Sequence, residues 1–140
     1  MMRRYSKNYQ LYHDIDWFFT DGSRCFHVAS NGGAIPQFIK VYRNNNVDLQ
    51  YKTVDMPDVT TDIRVIDNTN SLNYSSFIDF AKKGFVSIDK VDDGFDNQNY
   101  IVIAQPNDED IKPDIKDLPK LDDKFRKRIK ITGLNNKPLW

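Results

Sequence analysis

The sequence predicts an α+β domain dominated by short antiparallel strands, arranged as a small sandwich or barrel-like sheet, with one short helix and an extended C-terminal arm. The 140 residues include nineteen Asp and thirteen Asn but only one Glu and four Ala. Asp and Asn favour turns and caps, whereas Ala and Glu propagate helices, so short strands joined by polar loops are expected. The same composition is also typical of AT-rich coding sequences. Apolar residues make up 39% of the chain and aromatic residues 13%, which is enough for one core.

Residues 15–30 predict a β-hairpin. Residues 15–19 are rich in aromatic side chains, and residues 24–30 alternate between two faces. The Asp-Gly turn at residues 21–22 lies between them and is typical of a hairpin. Consecutive glycines follow Asn31 and permit positive φ, so we expect them to end the second strand.

The next part of the chain predicts several short elements. Residues 34–43 fit either a short helix with Pro36 in its first turn or another strand. Apolar and polar residues then alternate over residues 47–53, which indicates a half-buried strand. Residues 63–66 predict another short strand, and residues 67–73 predict a polar loop.

The strongest helix signal in the sequence covers residues 77–83. Ser76 is expected to be the N-cap, Asp79 has the spacing of a capping box, and Gly84 is expected to end the helix in a left-handed conformation. Residues 85–91 and 100–104 then predict two strands joined by a turn, which make a second hairpin.

The composition divides the chain into a globular domain over residues 1–105 and an extended, charged arm over residues 106–140. Residues 106–128 carry three prolines and charges of both signs, a pattern that disfavours regular helix and favours an extended path. Residues 124–130 hold five basic side chains, and residues 129–132 fit a short added strand. We expect this arm to dock on other protein.

Aromatic and basic residues are the candidate interface. Residues 17–19 place large side chains on both faces of one strand, so one face is expected in the core and the other under the arm or at an interface. Aromatic residues and Arg are enriched at the centres of protein interfaces. The candidate interface residues are Trp17, Phe19, Phe125, Arg126, Arg128, Leu139 and Trp140.

No motif in the sequence predicts catalysis. Cys25 and His27 share one face of a strand and are the pair to test for a nucleophilic mechanism, but no oxyanion-loop signature accompanies them. Their more ordinary interpretation is a packed cysteine and a hydrogen-bonded strand histidine. We therefore predict that the protein is not an enzyme and needs no cofactor.

No sequence pattern matches a known metal site either. His13, Asp14 and Asp16, with His27, form the one metal-like cluster, but the spacing of a zinc site is absent. The acidic loops at residues 67–71 and 92–97 do not fit a calcium-binding loop, which leaves a weak calcium site as an open alternative. The sequence predicts no metal ligands.

The charge balance bears on the partners. Lys and Arg together number 20, as do Asp and Glu, so the formal net charge is zero. The basic residues 124–130 could contact nucleic-acid phosphates, but Asp122 and Asp123 adjoin them, and the balance disfavours both nucleic acid and an anionic membrane. One cysteine allows no internal disulfide, and the N-terminal residues lack the apolar segment of a signal peptide. We expect the protein to be made and kept in a cytoplasm, or to be built into a particle there.

Three stretches carry a resemblance to known proteins. Residues 14–18, 26–33 and 77–85 read DIDWF, FHVASNGG and FIDFAKKGF. They resemble small uncharacterised proteins of gut Bacteroidetes and of their crAss-like tailed phages, over about the first 105 residues. The resemblance implies a virion component, such as a head-to-tail connector ring, a tail protein or a capsid accessory protein, located in the virion or, during assembly, in the host cytoplasm.

Three functional hypotheses follow. The first is a non-enzymatic structural subunit of a phage virion that assembles with itself and with neighbouring virion proteins through its arm. The alternative is a cytoplasmic protein-binding inhibitor, either an immunity or an anti-defence protein, that docks an acidic loop surface on one partner. The third is a small hydrolase that uses Cys25 or His27.

Overall fold

The computed structural model describes residues 4–40, 43–67 and 73–140, and over these residues the fold is α+β. The helices are α1 (Lys7–Tyr12), α2 (Gln37–Lys40), α3 (Arg43–Val54), α4 (Ser75–Lys82) and α5 (Asp123–Arg126); the strands are β1 (Asp16–Thr20), β2 (Cys25–Ala29), β3 (Ile63–Val65), β4 (Val86–Lys90), β5 (Asn99–Pro106) and β6 (Lys130–Thr132). The described part of the chain thus has several short helices where one was expected. It contains no helix of the length and apolarity that crossing a bilayer requires.

The described strands form one mixed six-stranded sheet in the order β1-β2-β4-β5-β3, with β6 also paired to β5. Both predicted hairpins are confirmed, because β1 pairs with β2 and β4 with β5 in antiparallel register. The β2–β4 and β5–β6 pairs are parallel, however. The expected antiparallel pairing therefore accounts for only part of this mixed sheet. A sandwich or barrel is not confirmed.

Strand β5 is the longest and pairs with three others. One of its edges pairs with β4. The other edge is shared, since β6 pairs with residues 99–101 and β3 with residues 104–106. Both short strands that the sequence predicted near residues 63–66 and 129–132 are thereby confirmed.

Helix α4 confirms the helix signal near residue 77 but begins differently from the prediction. It starts at Ser75, and its N-cap Tyr74 makes no side-chain cap bond, so Ser76 lies inside the helix. The C-terminal prediction is confirmed: Gly84 has a φ of +104°, and the amide of Phe85 donates to the carbonyl of Phe80 at 3.1 Å. A Cβ at Gly84 would lie 2.5 Å from the nitrogen of Pro113, so this position requires glycine for space as well as for φ.

The predicted strand over residues 47–53 is wrong, because these residues belong to helix α3. The buried positions of the helix are Asn46, Leu49 and Thr53, which recur at helical spacing. Tyr51, which shares the alternating pattern of Leu49 and Thr53, is exposed. Two of these buried residues are polar, so the pattern of hydrophobic residues in the sequence does not show the helical period of 3.6. The sequence left a helix and a strand as alternatives for residues 34–43, and the structure has a helix there at Gln37–Lys40 (α2).

The sheet buries side chains on both faces. On one face, Trp17 and Phe19 of β1 pack with residues of the three central strands and with the N-terminal and C-terminal segments, and this main core cluster contains Tyr5, Ile15, Phe26, Val28, Ile35, Ile39, Val86, Ile88, Tyr100, Val102, Leu121, Ile129 and Ile131. On the other face, Phe18, Leu49 and Phe85 form a second cluster, with Phe80 of α4 packed against it.

The C-terminal segment packs on this same sheet, and a separate extended arm is not confirmed. Leu121, Ile129 and Ile131 are buried within the main core cluster. The indole of Trp140 contacts the ring of Phe26, with the centroids 6.2 Å apart. In this structure these four residues of the segment therefore pack in the core of their own chain.

Candidate functional site

A cavity of about 550 Å³ lies between α1, the start of β1, α3 and α4. Its lining combines aromatic and aliphatic side chains with charged groups of both signs: Tyr5, Tyr9, His13, Asp14, Ile15, Asp16, Phe18, Arg43, Val47, Gln50, Thr53, Val54, Ser76, Asp79, Phe80 and Lys83. Concave sites of a few hundred cubic ångströms, largely apolar with a few convergent polar groups, are typical of ligand sites.

A chain of three polar side chains runs from this cavity into the sheet. Asp16 Oδ1 lies 2.8 Å from His27 Nε2, and His27 Nδ1 lies 2.7 Å from Ser87 Oγ. Because a carboxylate oxygen can only accept, Nε2 carries the proton that points to Asp16. The imidazole is stacked on Phe80 at a centroid distance of 3.7 Å. The register of the parallel β2–β4 pair places His27 directly beside Ser87.

This chain has the residue types of a Ser-His-Asp triad but the opposite orientation. In a hydrolase the serine is the group that meets the substrate, and the aspartate is buried behind the histidine. Here Ser87 and His27 are buried, while the Asp16 side chain is 48% exposed and lines the cavity. The group presented to a ligand is a carboxylate, and the hydroxyl cannot reach one.

Cys25 and His27 do not form a nucleophile–base pair. Both imidazole nitrogens are hydrogen-bonded to Asp16 and Ser87. Cys25 is half-buried against the cluster around Phe18, and burial raises the pKa of its thiol despite the nearby Lys112 ammonium. A raised pKa disfavours the thiolate, which is the nucleophilic form.

The two cations of the cavity are held by the protein itself. Lys83 Nζ donates to the carbonyls of Thr53 at 2.6 Å and Val54 at 3.4 Å, at the C-terminal end of α3. A cation at that end of a helix is stabilised by the unpaired carbonyls. The Arg43 guanidinium lies over the rings of Tyr5 and Tyr9, at 5.4 and 5.7 Å from their centroids.

The carboxylates of the cavity have fewer stabilising partners than its two cations. Asp14 accepts the amide of Asn31 at 2.9 Å, and Asp16 accepts from His27. Within residues 4–40, 43–67 and 73–140, no Lys or Arg forms an ion pair with either of them or with Asp79. Beside Asp14, burial and the Asp14 charge raise the pKa of Asp89 to about 6.

Asp89 gives a pH dependence with a definite sign. Its pKa in the folded state, about 6, exceeds the ordinary value of 3.8, so the folded protein binds this proton more tightly than the unfolded chain does. The stability contributed by Asp89 is therefore fully present below pH 3.8 and is lost as the pH rises from there to about 6. We expect Asp89→Asn to raise the urea midpoint clearly at about pH 7.5 and much less at about pH 4.5. The exposed Asp48→Asn is the matched control, and an equal effect of Asp89→Asn at both pH values would contradict this account.

None of the seven candidate interface residues lines the cavity. Trp17 and Phe19 are fully buried in the main core cluster, so this structure offers neither to a partner. Phe125, Leu139 and Trp140 are half-buried against the same cluster. Arg126 is exposed and stacks on Trp140 at 4.8 Å, and Arg128 is exposed. Both faces of the residue 17–19 strand are thus packed within the chain.

The sequence had singled out part of the cavity for a different reason. His13, Asp14 and Asp16 do line it, and Asp16 contacts His27, but the described residues hold no cluster of three or more potential metal ligands. Of the two acidic loops, most of residues 67–71 lies outside the described residues. The sequence did not identify Asp79 and Lys83 as cavity residues. Lys83 follows Asp79 by four positions, at the C-cap of α4, and this spacing places the two side chains on a common face.

Comparisons with known proteins identify no relative. No protein-family model, no curated protein and no solved structure matches this chain. The function is therefore inferred from the residues of the cavity and their surroundings.

Proposed function

We propose that this protein is a non-enzymatic binding protein and that the cavity between α1, β1, α3 and α4 receives part of one partner protein. The observation that supports this most is the reversed Asp16–His27–Ser87 chain, which presents a fixed carboxylate to the cavity and buries the hydroxyl. A fixed acceptor suits recognition, whereas acyl transfer needs an accessible nucleophile.

The surface around the cavity favours a protein as the partner. Tyr51 and Val54 on α3 are 74% and 73% exposed, and Tyr12 on α1 is 81% exposed. Val54 also lines the cavity, as does the partly exposed Tyr9 of α1. Exposed tyrosines and aliphatic side chains beside a concave site are characteristic of protein interfaces.

The packing of the C-terminal segment favours one of the two protein-binding roles. A virion subunit that assembles through its arm needs that arm to reach a neighbour, but Leu121, Ile129 and Ile131 of the segment are buried in the core of their own chain. A concave site on a chain whose C-terminal segment packs against its own sheet suits an inhibitor that binds one partner. The virion role stays a prediction, and assembly into higher oligomers in light scattering at rising concentration would support it instead.

Selection of peptides from a displayed random library on the immobilised full-length protein tests the proposal. We expect the selected peptides to bind the wild type and to lose about tenfold or more in affinity against Val54→Asp, since a new charge would enter the cavity rim. Val59→Asp is the matched control, because Val59 is also exposed but does not line the cavity. Peptides that bind both variants like the wild type, or a library without binders, would contradict the proposal.

A further inference from the structure

We infer that the group received by the cavity is an arginine side chain of the partner, with its guanidinium hydrogen-bonded to Asp16 and placed between the cavity's aromatic walls. This inference rests on the proposed function and adds the chemistry of the occupant. Four observations about the described residues support it.

First, hydrogen bonds hold both the side chain and the backbone carbonyl of Asp16. His27 fixes Oδ1, and the backbone carbonyl of Asp16 accepts from Asn46 Nδ2 at 3.0 Å and from Gln50 Nε2 at 2.8 Å. His27 itself is 1% exposed and bonded to Ser87. Because His27 and Asp16 lie on paired strands and α3 side chains hold the Asp16 backbone, this carboxylate is preorganised for a partner.

Second, the hydrogen-bonding capacity of this carboxylate is only partly used. An ionised carboxylate has about four acceptor sites. Asp16 uses one of them for His27, and its other oxygen has no partner among the described residues. Asn46 Oδ1, which belongs to the buried amide beside the Asp16 carbonyl, also has no donor in the described part of the chain. The Asp16 carboxylate, which lines the cavity, therefore offers it an unused acceptor.

Third, the walls suit a planar cation. Phe18 and Phe80 line the cavity with their rings 5.7 Å apart, and Tyr5 and Tyr9 form the wall near α1. Guanidinium groups stack on aromatic faces and present several N–H donors in one plane, whereas an ammonium is more strongly hydrated. The cavity already contains this contact, because Arg43 stacks on Tyr5 and Tyr9.

Fourth, an anionic occupant is disfavoured. Lys83 is engaged by two helix-terminal carbonyls and Arg43 by two rings. An anion would have to draw these cations away from their contacts and approach Asp14, Asp16 and Asp79 at the same time. Like charges brought together in a partly desolvated site oppose binding.

Titration of the ¹⁵N-labelled full-length protein with N-acetyl-arginine N-methylamide tests the inference. The matched probe is N-acetyl-citrulline N-methylamide, which has the same shape and no charge. We expect the arginine probe to shift the amide resonances of cavity residues and to bind about tenfold more tightly than the citrulline probe. Asp16→Asn should abolish most of that preference, and Asp48→Asn, an exposed change on α3 outside the cavity, should leave it intact.

The outcomes separate this inference from the proposed function. Equal binding of both probes in the cavity, or an unchanged preference in Asp16→Asn, would overturn the arginine assignment and leave a protein-binding cavity in place. Selected library peptides that require Val54 but contain no basic residue would do the same. Thermal unfolding of Asp16→Asn checks that the variant folds, and the comparison of the two probes on the wild type remains decisive if it does not. If neither probe shifts a cavity resonance, the inference fails.

Discussion

A chain that ends at Asn107 is expected to remain unfolded. Residues 108–140 supply Leu121, Ile129 and Ile131 to the main core cluster and the β6 strand to the edge of β5. Truncation of one buried Leu or Ile to Ala typically costs about 2–5 kcal/mol, and a whole domain is stable by only about 5–15 kcal/mol. Loss of three such side chains, together with exposure of the aromatic rings beneath them, exceeds that margin.

Circular dichroism and a ¹H-¹⁵N correlation spectrum of the 1–107 chain measure this directly. Addition of a separate 108–140 peptide is expected to restore dispersed resonances, because the missing core contacts would then be supplied in trans. The full-length protein with Lys124→Ala and Lys127→Ala, both exposed positions, serves as the control for changes in the same segment. Cooperative unfolding of the 1–107 chain alone would instead support a domain boundary near residue 105.

Trp17→Ala is expected to be the most damaging single substitution in the core. The indole is fully buried, and its ring contacts Phe19, Phe38 and Tyr100 at centroid distances of 5.5, 6.2 and 6.0 Å. Removal of a buried tryptophan typically costs about 3–5 kcal/mol. Tyr12→Ala is the matched control, because Tyr12 is exposed and its loss should change stability by less than about 0.5 kcal/mol.

Urea unfolding of both variants distinguishes a core role for Trp17 from the interface role that the sequence suggested. Trp17 Nε1 has no hydrogen-bond partner among the described residues, so Trp17→Phe removes an unpaired buried donor and should cost less than Trp17→Ala. If Trp17→Ala kept its urea midpoint and altered only the oligomeric state, the tryptophan would belong to an interface.

Local signals in the sequence predicted the elements that depend on local geometry. The first hairpin followed from the turn at residues 21–22, where Gly22 has a φ of +96°. The end of α4 followed from Gly84, and β6 from the apolar residues near Ile131. In each case a few adjacent residues determine the backbone conformation, and those residues can be read without knowledge of the tertiary structure.

Features that depend on distant residues were not predicted. Helix α3 can bury Asn46 because Tyr5 Oη and the Asp16 carbonyl accept from its amide, and Thr53 because its hydroxyl donates to the carbonyl of Gln50. Its sequence therefore shows no apolar stripe. The parallel β2–β4 pair joins residues some 60 positions apart, and no local pattern encodes it. The same pairing places Ser87 beside His27. The sequence therefore singled out Asp16 and His27 but could not show what holds them.

The shared edge of β5 has a consequence for the order in which the sheet is completed. If β3 pairs before β6 does, one half of that edge is closed while residues 99–101 still lack a partner. Unpaired strand edges are templates for association with other chains. A partly folded chain in which β6 has not yet paired would therefore have an open edge, and rapid docking of residues 130–132 would limit its association with other chains and its exposure to proteases.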